Sequence, residues 1–189
     1  MPETFKQFPK TRVILDCTTT ELFVHAPDFY RGWDDYEEGF GSPDGEYWLG
    51  LSNIYRLAQQ STWELRVDLQ DFDDNIAYAA YESFSISDAA SNYRLSIGAY
   101  SGNAGDLDAL RIHNNSQFST LDRDNDKWYG DCAADHQGGW WYEACESSNL
   151  NGLYLGSGQY SNAGMMWFYW KNSFEVLKRS EMKMRRIFN

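Results

Sequence analysis

The chain has 189 residues with a formal net charge of -12, and 17% of it is aromatic, with 8 Trp, 13 Tyr and 11 Phe. That length supports one domain with a substantial core or two small lobes. The acidic balance repels phosphate backbones and anionic lipid, which excludes nucleic acid and anionic membrane surfaces as partners, and suits divalent cations.

No stretch approaches 18 consecutive apolar residues, so no transmembrane helix or membrane insertion is expected. The first thirty residues lack the apolar core of a secretory signal, which taken by itself points to the cytosol. Residues 1–27 are poorly patterned apart from the run Val13-Ile14-Leu15.

Phe29, Trp33 and Tyr36 recur at helical spacing, and a turn-like Gly39-Phe40-Gly41-Ser42-Pro43-Asp44-Gly45 follows. Ile54, Leu57 and Ala58 share a face in a second helical patch. From Thr62 the period changes to two. Trp63, Leu65, Val67 and Leu69 alternate with Glu64, Arg66 and Asp68, which predicts a half-buried strand.

Ile76–Phe84 and Tyr93–Ile97 continue this pattern, so residues 62–98 read as an antiparallel meander. Residues 101–117 are polar and irregular. Trp167–Trp170 and Glu181–Ile187 read as closing strands. A helical first third, a central sheet and long irregular loops predict an α+β architecture. Loops of that length are generally functional or ligand-bound.

The segment 120–152 concentrates the chemistry. Asp122, Asp124 and Asp126 alternate as in calcium loops, where the ion takes six to eight oxygens. An EF-hand fails: its glycine position is Lys127 and its final glutamate position is Ala133. A calcium site of another kind and a solvated acidic turn both remain.

Cys132 and Cys145 are close enough in sequence to close a short loop, and a disulfide of that size contributes about 3 kcal/mol. Zinc competes for them, but Cys17, His25, His113 and His136 supply no tight ligand spacing. Gly138-Gly139 delivers Trp140, Trp141 and Tyr142, of which at least one is expected in the core and the others on a stacking surface. His113 and His136 read as surface or hydrogen-bonded histidines rather than ligands, and Asn114-Asn115-Ser116 is a glycosylation acceptor only in a secretory compartment. Acids such as Asp135, Glu143 and Glu146 among aromatics also admit a glycosidase. No nucleophile elbow, P-loop or dinucleotide fingerprint is present.

Five segments in this order carry a resemblance: DFYRGWDDYEEGFGSPDGEYWLGLSNIYRL (Asp28–Leu57), LRVDLQDFDDNIAYAAYESFSI (Leu65–Ile86), FSTLDRDNDKWYGDCA (Phe118–Ala133), GGWWYEACESSNLNGLYL (Gly138–Leu155) and SEMKMRRI (Ser180–Ile187). Residues 28–189 resemble the fibrinogen C-terminal domain family, shared by fibrinogen chains, ficolins, tachylectins and angiopoietin-type ligands.

The resemblance implies a secreted, non-enzymatic globular domain with a central antiparallel sheet, short helices and a long-loop region that binds calcium and ligand. It implies Ca²⁺ held by the carboxylates of Asp124 and Asp126 and the carbonyls of Trp128 and Gly130. It implies a Cys132–Cys145 disulfide and a cis peptide at Ala144–Cys145. The implied pocket comprises His136, Ala144, Cys145, Glu146 and Tyr160, with backbone N–H groups at Cys145 and Glu146 receiving an acetyl carbonyl.

Glycans, acetylated groups or a protein receptor are the implied partners, in innate-immune recognition or adhesion, with homo-oligomerisation for avidity. The chain departs from the family's acetyl-binding pattern at Glu146, where His is usual, and at His136, where Tyr is frequent. A carboxylate at the pocket mouth is expected to disfavour anionic ligands. Residues 1–27 read as a divergent or truncated first segment: TTTELFVHAP replaces a Gly-Gly-Trp-Thr strand, and Cys17 lacks its usual upstream partner.

Overall fold

The computed structural model describes residues 12–13 and 28–188. The expectations for Cys17 and for the rest of residues 1–27 lie outside the described residues.

Strand β1 (Arg12–Val13) pairs with the last strand. Helix α1 (Trp33–Glu38) is followed by the short hairpin β2 (Phe40–Gly41) and β3 (Tyr47–Trp48), then by helix α2 (Leu51–Ala58). The two helical patches of the sequence therefore stand, each buried on one side: Trp33 and Tyr36 from α1, Leu51 and Ile54 from α2. Helix α1 stops at Gly39, whose φ of 101° lies in the region that favours glycine. A Cβ there would meet the Leu49 carbonyl at 2.7 Å, so the two chain segments cross at a residue without a side chain.

Strand β4 (Trp63–Gln70) buries every second residue, as its alternation requires. It pairs antiparallel with β5 (Ile76–Tyr81) on one side and β11 (Arg179–Arg186) on the other. In that register Val67 faces Met182 and Leu65 faces Met184, so the apolar sets of both strands meet on one face. The opposite face carries a charge ladder, with Arg66–Asp68 at 2.7 Å, Lys183–Asp68 at 2.6 Å and Lys183–Glu181 at 2.7 Å. With β8 (Tyr100–Gly102) the sheet has the order β1-β11-β4-β5-β8.

The structure corrects two of the expected strands. Ile76–Phe84 is not one strand. The chain leaves the central sheet after Tyr81, and β6 (Phe84–Ile86) pairs instead with β7 (Leu95–Ile97) in a separate two-stranded sheet. Trp167–Trp170 is not a strand either: β10 (Met166–Trp167) pairs with β9 (Ser148–Asn149), and a helical turn, α4 (Phe168–Lys171), follows at once. A run of four aromatics carries too little period to separate the two states. Residues 101–117, though polar, bury Ala104, Ala109, Leu110 and His113 within the core.

Above the sheet, aromatic rings interlock. Tyr36 and Trp48 lie 5.5 Å apart by centroid, Trp48 and Phe118 5.9 Å, and Phe118 and Trp141 5.1 Å. Offset and edge-on pairs of this kind add to the burial of large apolar area. They join the helical first third to the loop region, and so fix where the candidate site sits.

Candidate metal and ligand site

The three alternating aspartates do different work. Asp122 turns back to helix α1: its Oδ1 accepts from the Trp33 N–H at 2.8 Å and from Thr120 Oγ1 at 2.7 Å. Asp124 and Asp126 turn the other way and meet Asp131, with one carboxylate oxygen from each lying within 4.8 Å of the others. Sequence reading missed Asp131. Its signal was its place directly before Cys132, and its Oδ1 also caps helix α3 (Cys132–Asp135) by accepting from Ala134 N–H at 2.9 Å.

The loop is built by its own backbone. Asp126 accepts from Trp128 N–H at 2.8 Å through Oδ1 and from Cys132 N–H at 2.8 Å through Oδ2. Asn125 anchors the base, its Nδ2 donating to the Phe118 carbonyl at 2.8 Å and its N–H to Ser119 Oγ at 3.0 Å. Trp128 is half-buried and folds over Gly130, where a Cβ would fall 2.5 Å from the indole ring. Glycine at 130 is thus a packing requirement as well as an element of the expected ligand set.

These donors fit a hard divalent cation. Three carboxylates in reach of one point offer oxygen only, which suits calcium and not zinc. Burial pushes the Asp126 carboxyl up, opposed by its backbone donors and assisted by the neighbouring Asp124 charge. A cation placed among these oxygens would relieve that repulsion.

The loop is tied to a second turn. Lys127 N–H donates to the Glu143 carbonyl at 2.8 Å, and its Nζ pairs with Glu143 Oε1 at 2.9 Å. Cys132 and Cys145 form a disulfide, as the resemblance implied, and the Ala144–Cys145 peptide is cis. Glu143 N–H donates to the Cys145 carbonyl at 2.9 Å, which closes the turn on itself. Ala144 is exposed, and Cys145 and Glu146 are half-buried. Among the described residues, neither the Cys145 nor the Glu146 N–H donates a hydrogen bond to the protein.

The remaining pocket residues differ from expectation. Glu146 does not project a carboxylate from the mouth. Its side chain is only 4% exposed and folds inward, with Oε2 lying 3.2 Å from His136 Nε2. Burial of a carboxyl whose Oε2 accepts no hydrogen bond among the described residues is costly, so Glu146 is pushed up to about 8, and burial lowers His136. His136, Glu146 and Cys145 lie within ligating distance of one another, but the Cys145 sulfur is already committed to the disulfide. Tyr160 is exposed, in a bridge with Glu175. The Asn162 carbonyl, two residues further on, faces the His136 ring.

The aromatic trio supplies no stacking surface. Trp140, Trp141 and Tyr142 are all fully buried. Gly139 makes this possible: its N–H donates to Tyr36 Oη at 3.1 Å, and a Cβ there would strike the Tyr36 ring at 2.4 Å. Trp141 Nε1 donates to the Tyr93 carbonyl at 2.7 Å, so even its polar edge is used internally.

His113 underlies the same region, buried and hydrogen-bonded at both nitrogens. Nδ1 lies 2.8 Å from the Trp141 carbonyl, and Nε2 accepts from the N–H groups of Ser147 and Ser148, each at 3.3 Å. Two backbone donors on Nε2 place the proton on Nδ1. Burial accordingly lowers its pKa to about 4.

The family model described as fibrinogen beta and gamma chains, C-terminal globular domain, matches residues 25–187. Human microfibril-associated glycoprotein 4 is 48% identical over 171 residues, covering 87% of this chain and 66% of that protein. Human angiopoietin-related protein 7 is 46% identical over 159 residues, covering 83% of this chain and 45% of the relative. This chain therefore spans two thirds or less of the length of these relatives.

Among solved structures, the fibrinogen-like globe domain of human ANGPTL6 superposes with a TM-score of 0.85 at 38% identity, covering 94% of this chain and 79% of that one. Lamprey fibrin D-dimer, complexed with the peptide ligand Gly-His-Arg-Pro-amide, gives a TM-score of 0.78 at 32% identity, covering 87% and 60%.

Proposed function

Because the chain belongs to the fibrinogen C-terminal globular domain family, we propose that it is a calcium-stabilised lectin-like module whose rim at Ala144, Cys145 and Glu146 receives a glycan or an acetylated group. The α+β architecture is the fibrinogen-like globe. The family is one of non-enzymatic recognition modules, and the relatives above are secreted, extracellular proteins. Innate-immune recognition and homo-oligomeric avidity are the settings in which such a rim would serve.

The observation that carries this reading is the pair of adjacent N–H groups at Cys145 and Glu146, both unused within the described residues and set on an exposed turn. Two neighbouring donors of this kind suit a carbonyl oxygen. The turn is held by the disulfide and by the Lys127–Glu143 pair, so its geometry depends on the acidic loop. In that loop Asp124, Asp126 and Asp131 would hold calcium with their carboxylates, together with the carbonyls of Trp128 and Gly130. The ion would supply the positive charge that fixes the loop. His136 would form the floor of the pocket and Tyr160 an exposed flank.

A second reading, a protein-interaction or adhesion module, is favoured by a different observation. Lamprey fibrin D-dimer was solved with a basic peptide. Here Asp124, Asp126 and Asp131 cluster on the loop that the Lys127–Glu143 pair ties to the turn, on a chain of net charge -12, which suits a cationic segment.

A glycan array read with calcium and with EDTA, beside an array of basic peptides, tests both. Calcium-dependent binding to a glycan or acetylated probe is expected. Silence on every glycan would remove the lectin reading, and binding to basic peptides alone would establish the second.

A further inference from the structure

We infer that the Glu146–His136 pair decides which acceptors the rim takes: while the pair carries one proton in total, the N–H groups of Cys145 and Glu146 receive carboxylates as well as uncharged carbonyls, and once that proton is lost they receive only uncharged carbonyls. The inference rests on the reading of this turn as the binding rim.

The geometry is specific. Glu146 contributes both a rim donor, through its exposed backbone, and the carboxyl beneath it, through a side chain 4% exposed. Bond lengths alone keep that carboxyl within about 5 Å of its own backbone nitrogen. Oε2 is buried and accepts no hydrogen bond among the described residues, with the His136 imidazole 3.2 Å away as its nearest ion-pairing group. The His136 side chain is 10% exposed, and Asn149 Nδ2 holds its carbonyl at 2.9 Å. The pair therefore sits on a fixed floor.

Among the described residues, the groups facing it bring no compensating cation. Asp135, next along the chain, is acidic and favours a charged imidazole. The Tyr142 ring lies 6.0 Å from His136, with its hydroxyl committed to the Gly138 carbonyl and Asn149 Oδ1, and burial holds the phenol in its protonated form. Asp126 and Asp131 also act on Tyr142, and both are acidic. The Asn162 carbonyl faces the imidazole. On the adjoining loop Lys127 is paired with Glu143, and Arg123 lies over the Trp33 ring at 4.0 Å.

With one proton the pair has no net charge, whether as carboxylic acid and imidazole or as carboxylate and imidazolium. Without it, a negative charge lies under the two donors. A carboxylate ligand would then meet a like charge in a half-buried site, and an uncharged carbonyl would not. Burial places that loss on the alkaline side of neutrality, at about 8.

Acetate and acetamide, matched in size and different in charge, test this on the calcium-loaded chain. Carbon-detected NMR shifts of Ala144, Cys145 and Glu146 report occupancy at pH 6.5 and pH 9, and the Glu146 carboxyl carbon reports its own ionisation. The expected result is acetamide binding that is level across this range, with acetate weakened relative to acetamide by about tenfold or more at the higher pH. In Glu146→Gln the acetate-to-acetamide ratio no longer depends on pH.

A ratio that stays flat in the wild-type chain overturns the inference, and so does a pH dependence that survives in Glu146→Gln. Were that variant unfolded, the wild-type ratio would decide alone. If neither probe moves the turn's resonances, the rim itself is refuted and the inference falls with it. Acetamide binding with a flat ratio leaves the rim standing and refutes the pair alone.

Discussion

The Nδ1 of His113 lies 2.8 Å from the carbonyl of Trp141, while its Nε2 accepts from two consecutive N–H groups, those of Ser147 and Ser148. One imidazole thus pins the buried Trp141 to the segment that leaves the binding turn. It can do so only when neutral, because both nitrogens have fixed and opposite roles.

That requirement predicts an acid-sensitive fold. The His113 pKa falls from 6.5 when unfolded to about 4 when folded. A lowered value means that the stability it contributes is present above pH 6.5 and is lost as pH falls toward 4. The full loss is about 3 kcal/mol. Glu146, raised to about 8, acts with the opposite sign between pH 4.5 and 8, so the comparison must isolate His113. Melts of the wild-type chain and His113→Gln, taken from pH 7 to pH 4.5, should show a difference between the two that shrinks with acid. A constant difference would contradict the neutral-imidazole assignment.

Calcium binding is tested most cleanly at Asp124, whose structural role is light: among the described residues its Oδ1 accepts from the Asp126 N–H at 3.0 Å. Asp126 by contrast holds two backbone donors. Asp124→Asn should therefore melt close to the wild-type chain in EDTA and lose most of the gain on adding calcium. In the wild-type chain that gain should approach about 2.7 kcal/mol at one hundred times the dissociation constant. An undiminished calcium shift in the variant would remove Asp124 from the ligand set. Asp124→Ala with Asp126→Ala should abolish the EDTA effect and also lower the melting temperature in EDTA.

The disulfide joins residues separated by 13 positions. Replacing both cysteines with alanine should cost about 3 kcal/mol by the loop-entropy relation, measured by urea denaturation. Because the same bond ties helix α3 to the binding turn, glycan or acetamide binding should weaken in the variant while it is still folded. Retained affinity in a destabilised domain would show that Lys127–Glu143 alone positions the turn.

Gly139→Ala inserts a methyl 2.4 Å from the Tyr36 ring, in a place where Tyr36 also receives the Gly139 N–H. Overpacking of this kind costs about 1–3 kcal/mol. The expected outcome is a lower denaturation midpoint with an unchanged slope, and a tolerated substitution would mean that Tyr36 moves freely. The structure gives it little room, since its ring packs against Phe40, Trp48 and Phe118.

Much of this was legible in the chain itself. The period-two run from Trp63 to Leu69 reads as a half-buried strand because side-chain direction alternates with every residue. The helical spacing of Trp33 and Tyr36 is legible for the same local reason. The run Ile76–Phe84 misled because nothing local marks where a strand changes partner: Tyr81 and Phe84 are both aromatic and both buried, in different sheets. The aromatic trio misled because consecutive large rings can all be buried when a glycine lets the chain approach a neighbour 103 positions away.

The sequence by itself determined the family, the central strands and the identity of the two linked cysteines, since these rest on local period and on residues in a recognisable order. Only the tertiary structure decided which aspartates converge. Asp122 is drawn to a helix N–H 89 positions away, and Asp131 takes its place beside Asp124 and Asp126. Only the tertiary structure, likewise, turned Glu146 inward onto His136. A side chain's direction depends on what packs against it, and local sequence pattern carries neither the Trp33 N–H that draws Asp122 nor the fold that sets Glu146 against His136.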